Sequence, residues 1–376
     1  MSVAATYRIE DVEKAWRQLE ESGIESPGQS LDFTKVWIEH FGVSPDEQLY
    51  VTGTARGKVV ALFPLIRRKR YGIDILTWFP GPHVGCNAPL MDHETLALLS
   101  DEELSDLWNR MLKSLFGADA VVLHSMPALG KRDYFQHLGD HIDWDVLYRS
   151  EFENWDECAK VQHTRSRRKH DRQQGAKLAA MGEVTFEEVS GRTADHEILD
   201  CIEVMFEQKA KRFAEWGVED PFEHPLMREF YKKVFQSGGT LEGKLHVLRL
   251  DGKIVSMRYN LVHGKRVFAL VSSMDDSEEL KPGSPGKQNL LRSMEAIFAS
   301  GHTMCDMGAG YSDEKRAWCN VEVPLRTHYI PLNAKGAVGI KGHQFKGFLK
   351  REIKANPALF NLVKGVRAAR NLARPE

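Results

Sequence analysis

Alternating apolar and polar positions predict two strands, Gln48–Thr54 and Lys58–Arg67, joined by the short connector Ala55-Arg56-Gly57. Period-two alternation interrupted by a glycine-bearing turn is a hairpin pattern. A second hairpin is predicted over Leu245–Val262, with its turn at Asp251-Gly252. Helical spacing precedes each hairpin: Ile9–Ser22 and Leu31–Phe41 before the first, Asp195–Phe213 and Pro225–Gln236 before the second. Each hairpin is followed by strand, helix and strand. In the first half these are Tyr71–Phe79, Leu96–Leu115 and the buried strand Ala118–Ser125. In the second they are Val267–Ser273, Lys287–Ala299 and Thr303–Met307, with a further strand, Glu183–Val189, ahead of the helices. The shared plan predicts an internal structural repeat.

Only the second copy carries Ser284-Pro285-Gly286 between its strand and its helix. A tight loop opening onto a helix leaves N–H groups unpaired at the positive end of the helix dipole. Such an end seats phosphate, with Lys287 and the Ser284 hydroxyl as added donors. A Pro-Gly step is also an ordinary helix start. The following strand runs into Asp306-Met307-Gly308-Ala309-Gly310-Tyr311, then Lys315 and Trp318.

In these segments the chain resembles the GNAT-like acetyltransferases named after the cellulose-biosynthesis enzyme, the CelD/BcsL family. That family shows a Pro-Gly loop, a helix and an Asp-x-Gly-x-Gly segment followed by Tyr, Lys and Trp; here Ser312-Asp313-Glu314 separate Tyr311 from Lys315. Phe33–Gly42, Leu49–Leu65, Thr164–Lys177 and Leu245–Tyr259 extend the likeness in order along residues 30 to 335. The resemblance implies an α/β (α+β) fold of two tandem GNAT-like domains, each a mixed, mostly antiparallel sheet flanked by helices, plus C-terminal helices. It divides the chain into a degenerate first domain (1–150), a catalytic second domain (151–340) and a basic amphipathic tail (341–376). It also implies acyl-CoA as co-substrate, with no permanently bound cofactor, its pyrophosphate on Ser284, Pro285, Gly286 and Lys287.

Acyl transfer from a thioester requires a polarised carbonyl, a deprotonated acceptor and a protonated leaving thiolate. A backbone N–H on Val267–Ser273, around Ser272, would polarise the carbonyl. Asp306 lies within a short apolar strand, where burial raises a carboxyl toward base values; the alternative is a brace for the glycine loop. By the resemblance, Tyr311 opens the next helix and protonates the thiolate; otherwise it is a packed aromatic. Lys315 and Trp318 follow at helical spacing, on one face with Tyr311, and either line the acceptor tunnel with Gly308 and Gly310 or pack. Arg165, Arg167, Arg168, Lys169 and Arg172 form a solvated face or a steering patch for an anionic donor. His163, His170 and His246 are unassigned possible bases.

Composition excludes several classes. Five scattered cysteines without a CxxC pair argue against a disulfide framework or a zinc site, and the histidines have no metal-ligand spacing. No apolar run reaches the length of a membrane span, and no signal pattern opens the chain, so a cytoplasmic protein is expected. The formal net charge of −2 hides an asymmetry: residues 341–376 hold nine Lys/Arg against two Glu. Two apolar stripes separated by Pro357 suit docking on the body or an interfacial helix on the inner membrane face. Nucleic acid is not expected, because the body is acidic. The function expected is transfer of an acetyl or longer acyl group to an amine or hydroxyl of a lipid or saccharide acceptor: a sphingoid or other lipid amine, or an exopolysaccharide precursor. The alternatives are a Fem-like aminoacyl transferase using charged tRNA and a non-catalytic binding subunit.

Overall fold

The computed structural model describes residues 1–355 apart from 71, 80–83, 129–133 and 136–137, with side chains to 344. The first half contains β1 (Ser2–Thr6), α1 (Glu13–Glu20), α2 (Leu31–Phe41), β2 (Gln48–Ala55), β3 (Lys58–Arg70), β4 (Ile73–Trp78) and β5 (Leu90–Met91). It continues through α3 (His93–Ala97), α4 (Asp101–Lys113), β6 (Ala120–Pro127) and β7 (Asp140–Glu151). The second half contains α5 (Trp155–Gln162), α6 (Arg165–Ala179), β8 (Val184–Ser190), α7 (His196–Trp216), α8 (Pro225–Gln236), β9 (Glu242–Leu250) and β10 (Lys253–His263). It ends with β11 (Arg266–Met274), α9 (Pro285–Ala299), β12 (Met304–Ala309), α10 (Asp313–Trp318), β13 (Val321–Pro331) and α11 (Ala334–Ala355).

All the described strands form one mixed sheet in the order β1-β2-β3-β4-β6-β13-β7-β12-β11-β10-β9-β8, with β5 beside β3. The mixed, mostly antiparallel sheet flanked by helices is the architecture expected. The repeat is visible in the pairing: β4 runs parallel to β6, and β11 runs parallel to β12. The last strand of each half then crosses over. β7 pairs with β12 of the second half, β13 pairs with β6 of the first, and the two pair with each other at the centre. Neither crossing strand is predicted from the sequence. Residues 140–145 of β7 are exposed and include three aspartates, and Pro324 sits inside β13, where proline argues against a central strand.

The expected helix Leu96–Leu115 is two helices, because Ser100 and Glu103 form a reciprocal capping box that starts α4 afresh. The first half packs Trp108 and Leu104 of α4 on Phe63 and Val51, and α1 covers the opposite face through Trp16 and Leu19. In the second half α7 and α8 cover Met257, Tyr259 and Leu261 of β10, while α9 covers Val262, Val267 and Cys305 on the other face. The halves also meet through α2 and α8, where Phe33 and Phe230 stand edge to face at 5.2 Å. α11 docks on the first half, with Ile340 against Ile73, Ile75 and Val122. It runs unbroken through residue 341, so the expected tail boundary falls inside a helix. The second predicted tail helix lies outside the described residues, as do the side chains of Phe345, Phe348, Leu349 and Ile353.

Strand exchange makes each half depend on the other. Residues 1–151 expressed alone leave the buried edge of β6 without β13, and should be insoluble or melt without cooperativity. Co-expression with residues 152–376 should give a soluble complex. A soluble, cooperatively melting 1–151 fragment would contradict the exchange.

Candidate active site

β11 and β12 pair over only three positions, Arg266–Phe268 against Met304–Asp306. Just beyond, β11 is bulged: Tyr259 faces Val271 and Asn260 faces Ala269, which leaves Leu270 as the extra residue. A bulge takes a residue out of the ladder and re-aims its neighbours. Ser272 follows, exposed on the α9 face, and Met274 lies at the start of α9, where a Cβ on Gly286 would stand 2.8 Å from its sulfur. The structure thus brings Ser272, Gly286 and the parting of the strands to one side of the sheet.

The loop before α9 is tightly held. Ser284 has φ of 47°, and its hydroxyl accepts from Gln174 Nε2 (2.8 Å) and donates to the Lys281 carbonyl (3.2 Å). The Lys287 N–H donates to the Ser284 carbonyl (3.0 Å), while the Lys287 side chain is exposed. α6 packs across this loop, with Leu178 against Gly283 and Gln288 Nε2 donating to the Asp171 carbonyl (2.9 Å). Its residues Arg165, Arg168, Lys169 and Arg172 are exposed. Arg167 differs: it donates to the Ala317 carbonyl (2.5 Å) and lies 5.3 Å over the Trp318 ring, so it is structural.

Beyond β12 the glycine loop is clamped from two sides. Asp306 Oδ1 accepts the Gly308 N–H (2.8 Å), and Oδ2 accepts from Arg149 Nε (2.9 Å). Arg149 also donates to Glu25 Oε2 (2.6 Å) and the Glu25 carbonyl, and Arg266 donates to Glu25 Oε1 (2.8 Å). Burial pushes the Asp306 carboxyl up, against the pull of Arg149 and the Gly308 N–H. Glu25 lies below its ordinary value, because the two arginines outweigh its desolvation. From the other side, Lys315 Nζ donates to the carbonyls of Gly308 (3.3 Å), Ala309 (2.6 Å) and Gly310 (3.0 Å).

At three positions these contacts favour one of the two readings left open, and at Tyr311 they correct the shared helix face. Asp306 has both carboxylate oxygens engaged, which fits the brace and not a base. Lys315 spends its three donors on the loop instead of facing an acceptor. Trp318 is 5% exposed and packs with Trp155 and His163, so it lines no tunnel. Tyr311 is 63% exposed, precedes α10 by two residues and donates to Asp313 Oδ1 (3.0 Å), so it shares no helix face with the others. The first half reaches this loop: a Cβ on Gly85 would stand 3.7 Å from the Gly308 Cα. The partners Glu25, Arg149 and Arg266 are missed from the sequence, because no local pattern links positions so far apart.

Two of the three candidate histidines are held by carboxylates, and His170 is exposed. His246 bonds Glu188 Oε2 (2.9 Å) and the Asn260 amide (3.2 Å), and His163 bonds Asp171 Oδ2 (2.9 Å). Among the described residues no cluster has the makings of a metal site, and no two cysteines are bonded. A cavity of about 630 Å³ lies at the other end of β11 and β12, lined by Glu21, Arg149, Glu151, His263 and Arg266.

Two substitutions check the Asp306 brace and the Glu188–His246 pair. Asp306→Asn leaves Arg149 with one carboxylate; broken buried pairs cost about 3–5 kcal/mol, so the melting temperature should fall by roughly 5–15 °C. An unchanged melting temperature would contradict the brace. The Glu188 carboxyl is held down to about 2, chiefly by its hydrogen bond to His246. An unfolded glutamate titrates near ~4.3, so this contribution is full above that pH and is lost as pH falls toward about 2. Glu188→Gln should flatten the acid limb of stability against pH in that window.

Residues 165–316, less than half of the chain, match the family model described as an acetyltransferase (GNAT) domain. A search of curated proteins by sequence finds no match. Among solved structures, the chain is similar to the C-terminal domain of a protein described as a lysylphosphatidylglycerol synthetase from Agrobacterium fabrum. The TM-score is 0.53 at 13% identity, covering 88% of this chain and 94% of that one. It is similar to L-PGS from Bacillus licheniformis (TM-score 0.53, 10% identity, 87% and 94% covered). FemX gives a TM-score of 0.52 at 11% identity, with 85% and 96% covered. At these identities the likeness is one of fold. Residues 165–316 carry a GNAT acetyltransferase domain, and the chain is an enzyme of the acyltransferase class.

Proposed function

We propose that the protein transfers an acetyl or longer acyl group from coenzyme A to an amine or hydroxyl of an envelope-related acceptor, either a lipid amine such as a sphingoid base or an exopolysaccharide precursor. The observation that carries this reading is the parting of β11 and β12 immediately after Phe268 and Asp306, with the Leu270 bulge and exposed Ser272 beside the α9 N-terminus. The donor's pyrophosphate lies between Ser284–Lys287 and Ser272, and its arm follows β11 from there toward the Leu270 bulge. A backbone N–H at the bulge polarises the thioester carbonyl. The acceptor attacks that carbon, the carbon–sulfur bond breaks, the Tyr311 hydroxyl gives its proton to the thiolate, and the proton lost by the acceptor passes to solvent, from which the exposed tyrosinate is reprotonated. Asp306 and Lys315 position the Gly308–Gly310 loop that forms the acceptor wall. In this reading residues 1–150 are a degenerate domain and 151–340 the catalytic one.

The runner-up is a Fem-like aminoacyl transfer from charged tRNA, which the fold shared with FemX and L-PGS keeps in view. A binding subunit without catalysis is the third reading. Calorimetry with coenzyme A separates them. Micromolar binding in the wild type, abolished by Gly286→Glu in a folded variant, supports acyl-CoA use; no binding favours the rivals. A glutamate there meets Met274 and adds a charge facing phosphate. Tyr311→Phe should lower turnover by about 10²–10⁴-fold, the range for a lost proton transfer, with donor affinity unchanged.

No helix among the described residues is long and apolar enough to cross a membrane. We propose that the basic tail tethers the enzyme to an anionic membrane surface, near a lipid or lipid-linked acceptor. Lys364, Arg367, Arg370 and Arg374 follow α11, and each basic residue near such a surface contributes roughly 1 kcal/mol. A cut after Ala355 spares the docked part of α11. The full chain should pellet with anionic vesicles and release at ~0.5 M salt, and the truncated chain should not pellet. Equal pelleting by both would remove the tail from the proposal.

A further inference from the structure

β10 is buried on both faces, yet the row it presents toward α9 is polar: Ser256, Arg258 and Asn260. Two of the three are satisfied within the protein. The Ser256 hydroxyl donates to the Ser273 carbonyl (2.8 Å), and the Asn260 amide meets the Lys244 carbonyl and His246 Nδ1. Arg258 is not. It is 8% exposed, its Nε has no acceptor among the described residues, and its ion pair is Nη2 to Glu314 Oε2 at 3.8 Å, beyond hydrogen-bonding distance. A guanidinium has five donors, and desolvating one without acceptors is costly.

Direction gives this side chain its meaning. Arg258 stands opposite Ser272 in the sheet, while Glu314 belongs to α10, which follows β12. The guanidinium therefore reaches from the β10–β11 side toward the β12 side, across the parting of the strands. Glu314 answers from a side chain that is 44% exposed and free to turn toward solvent. A buried cation thus pairs in register with an exposed hydroxyl-bearing residue, Ser272, and faces a replaceable carboxylate.

We infer that Arg258, with Ser272, is an oxyanion receptor in the donor groove: it binds a phosphate group of the donor, and Glu314 occupies the guanidinium until that phosphate displaces it. Arginine suits the role because its planar fork meets phosphate oxygens in pairs. This rests on the parting of β11 and β12 being the donor groove. The two partners act in opposite directions on the same ligand, which a purely structural pair does not do.

The test is calorimetry of the full-length protein with coenzyme A and, separately, inorganic pyrophosphate. Arg258→Gln should weaken both by about tenfold or more, the effect of losing a charge-assisted bond of ~1.5 kcal/mol. Glu314→Gln should tighten both several-fold, and Arg258→Lys should recover only part of the loss. Glu314→Gln alters a half-exposed residue, so that arm stands even if Arg258→Gln fails to fold. Unchanged affinities in Glu314→Gln and Arg258→Lys, or weakening by both, overturn the inference. Pyrophosphate binding that depends on Arg258 without coenzyme A binding keeps the receptor and overturns the coenzyme A reading. Coenzyme A binding indifferent to both residues does the reverse.

Discussion

One buried arginine ties the molecule together. Arg149 lies on β7, the strand that the first half lends to the second, and is 4% exposed. It holds Glu25 from the first half and Asp306 on β12 at once, and Asp306 in turn fixes the Gly308 N–H. The exchanged strand, the seam and the glycine loop therefore share one charge. Pairs taken out of water gain little net stability, since desolvation offsets most of the attraction, but removing one partner is severe. Such a network sets geometry. Here it fixes where the wall beside the parting strands can stand.

The opposite face of the sheet follows a different rule. There α9 is stitched to the sheet by Asn289, whose amide donates to the His246 and Ser256 carbonyls (3.1 and 2.9 Å). The groove beside it is left with Arg258 short of acceptors. A chain that satisfies Asp306 on one face and leaves Arg258 unmet on the other divides the tasks of scaffold and ligand. The Asp306 side holds the frame; the Arg258 side is the one we propose for the donor.

Much of this was legible in the sequence. The hairpins at Asp251-Gly252 and Ala55-Arg56-Gly57, the helix before Ala299 and the strand carrying Asp306 stand where alternation and turn chemistry put them. Their type follows from local pattern, and local pattern is what a sequence displays. β7 and β13 were invisible because their burial depends on each other: most of β7 is polar, and Pro324 interrupts β13. The roles of Asp306, Lys315 and Trp318 stayed open between two readings for a related reason. Their spacing fits a catalytic row, but their partners Arg149, the loop carbonyls and Trp155 are set by tertiary contacts. Arg258 was hidden within the hairpin Leu245–Val262, where an arginine in an alternating strand reads as a solvent-facing position.

The central claim is that the parting of β11 and β12 beside α9 receives the acyl donor. Backbone hydrogen exchange with and without coenzyme A tests it most directly. The account predicts slower exchange confined to Leu270–Met274 and Gly286–Asn289, with the cavity around His263 and Arg266 unaffected. Protection at that cavity, or none at the bulge and the start of α9, would contradict it.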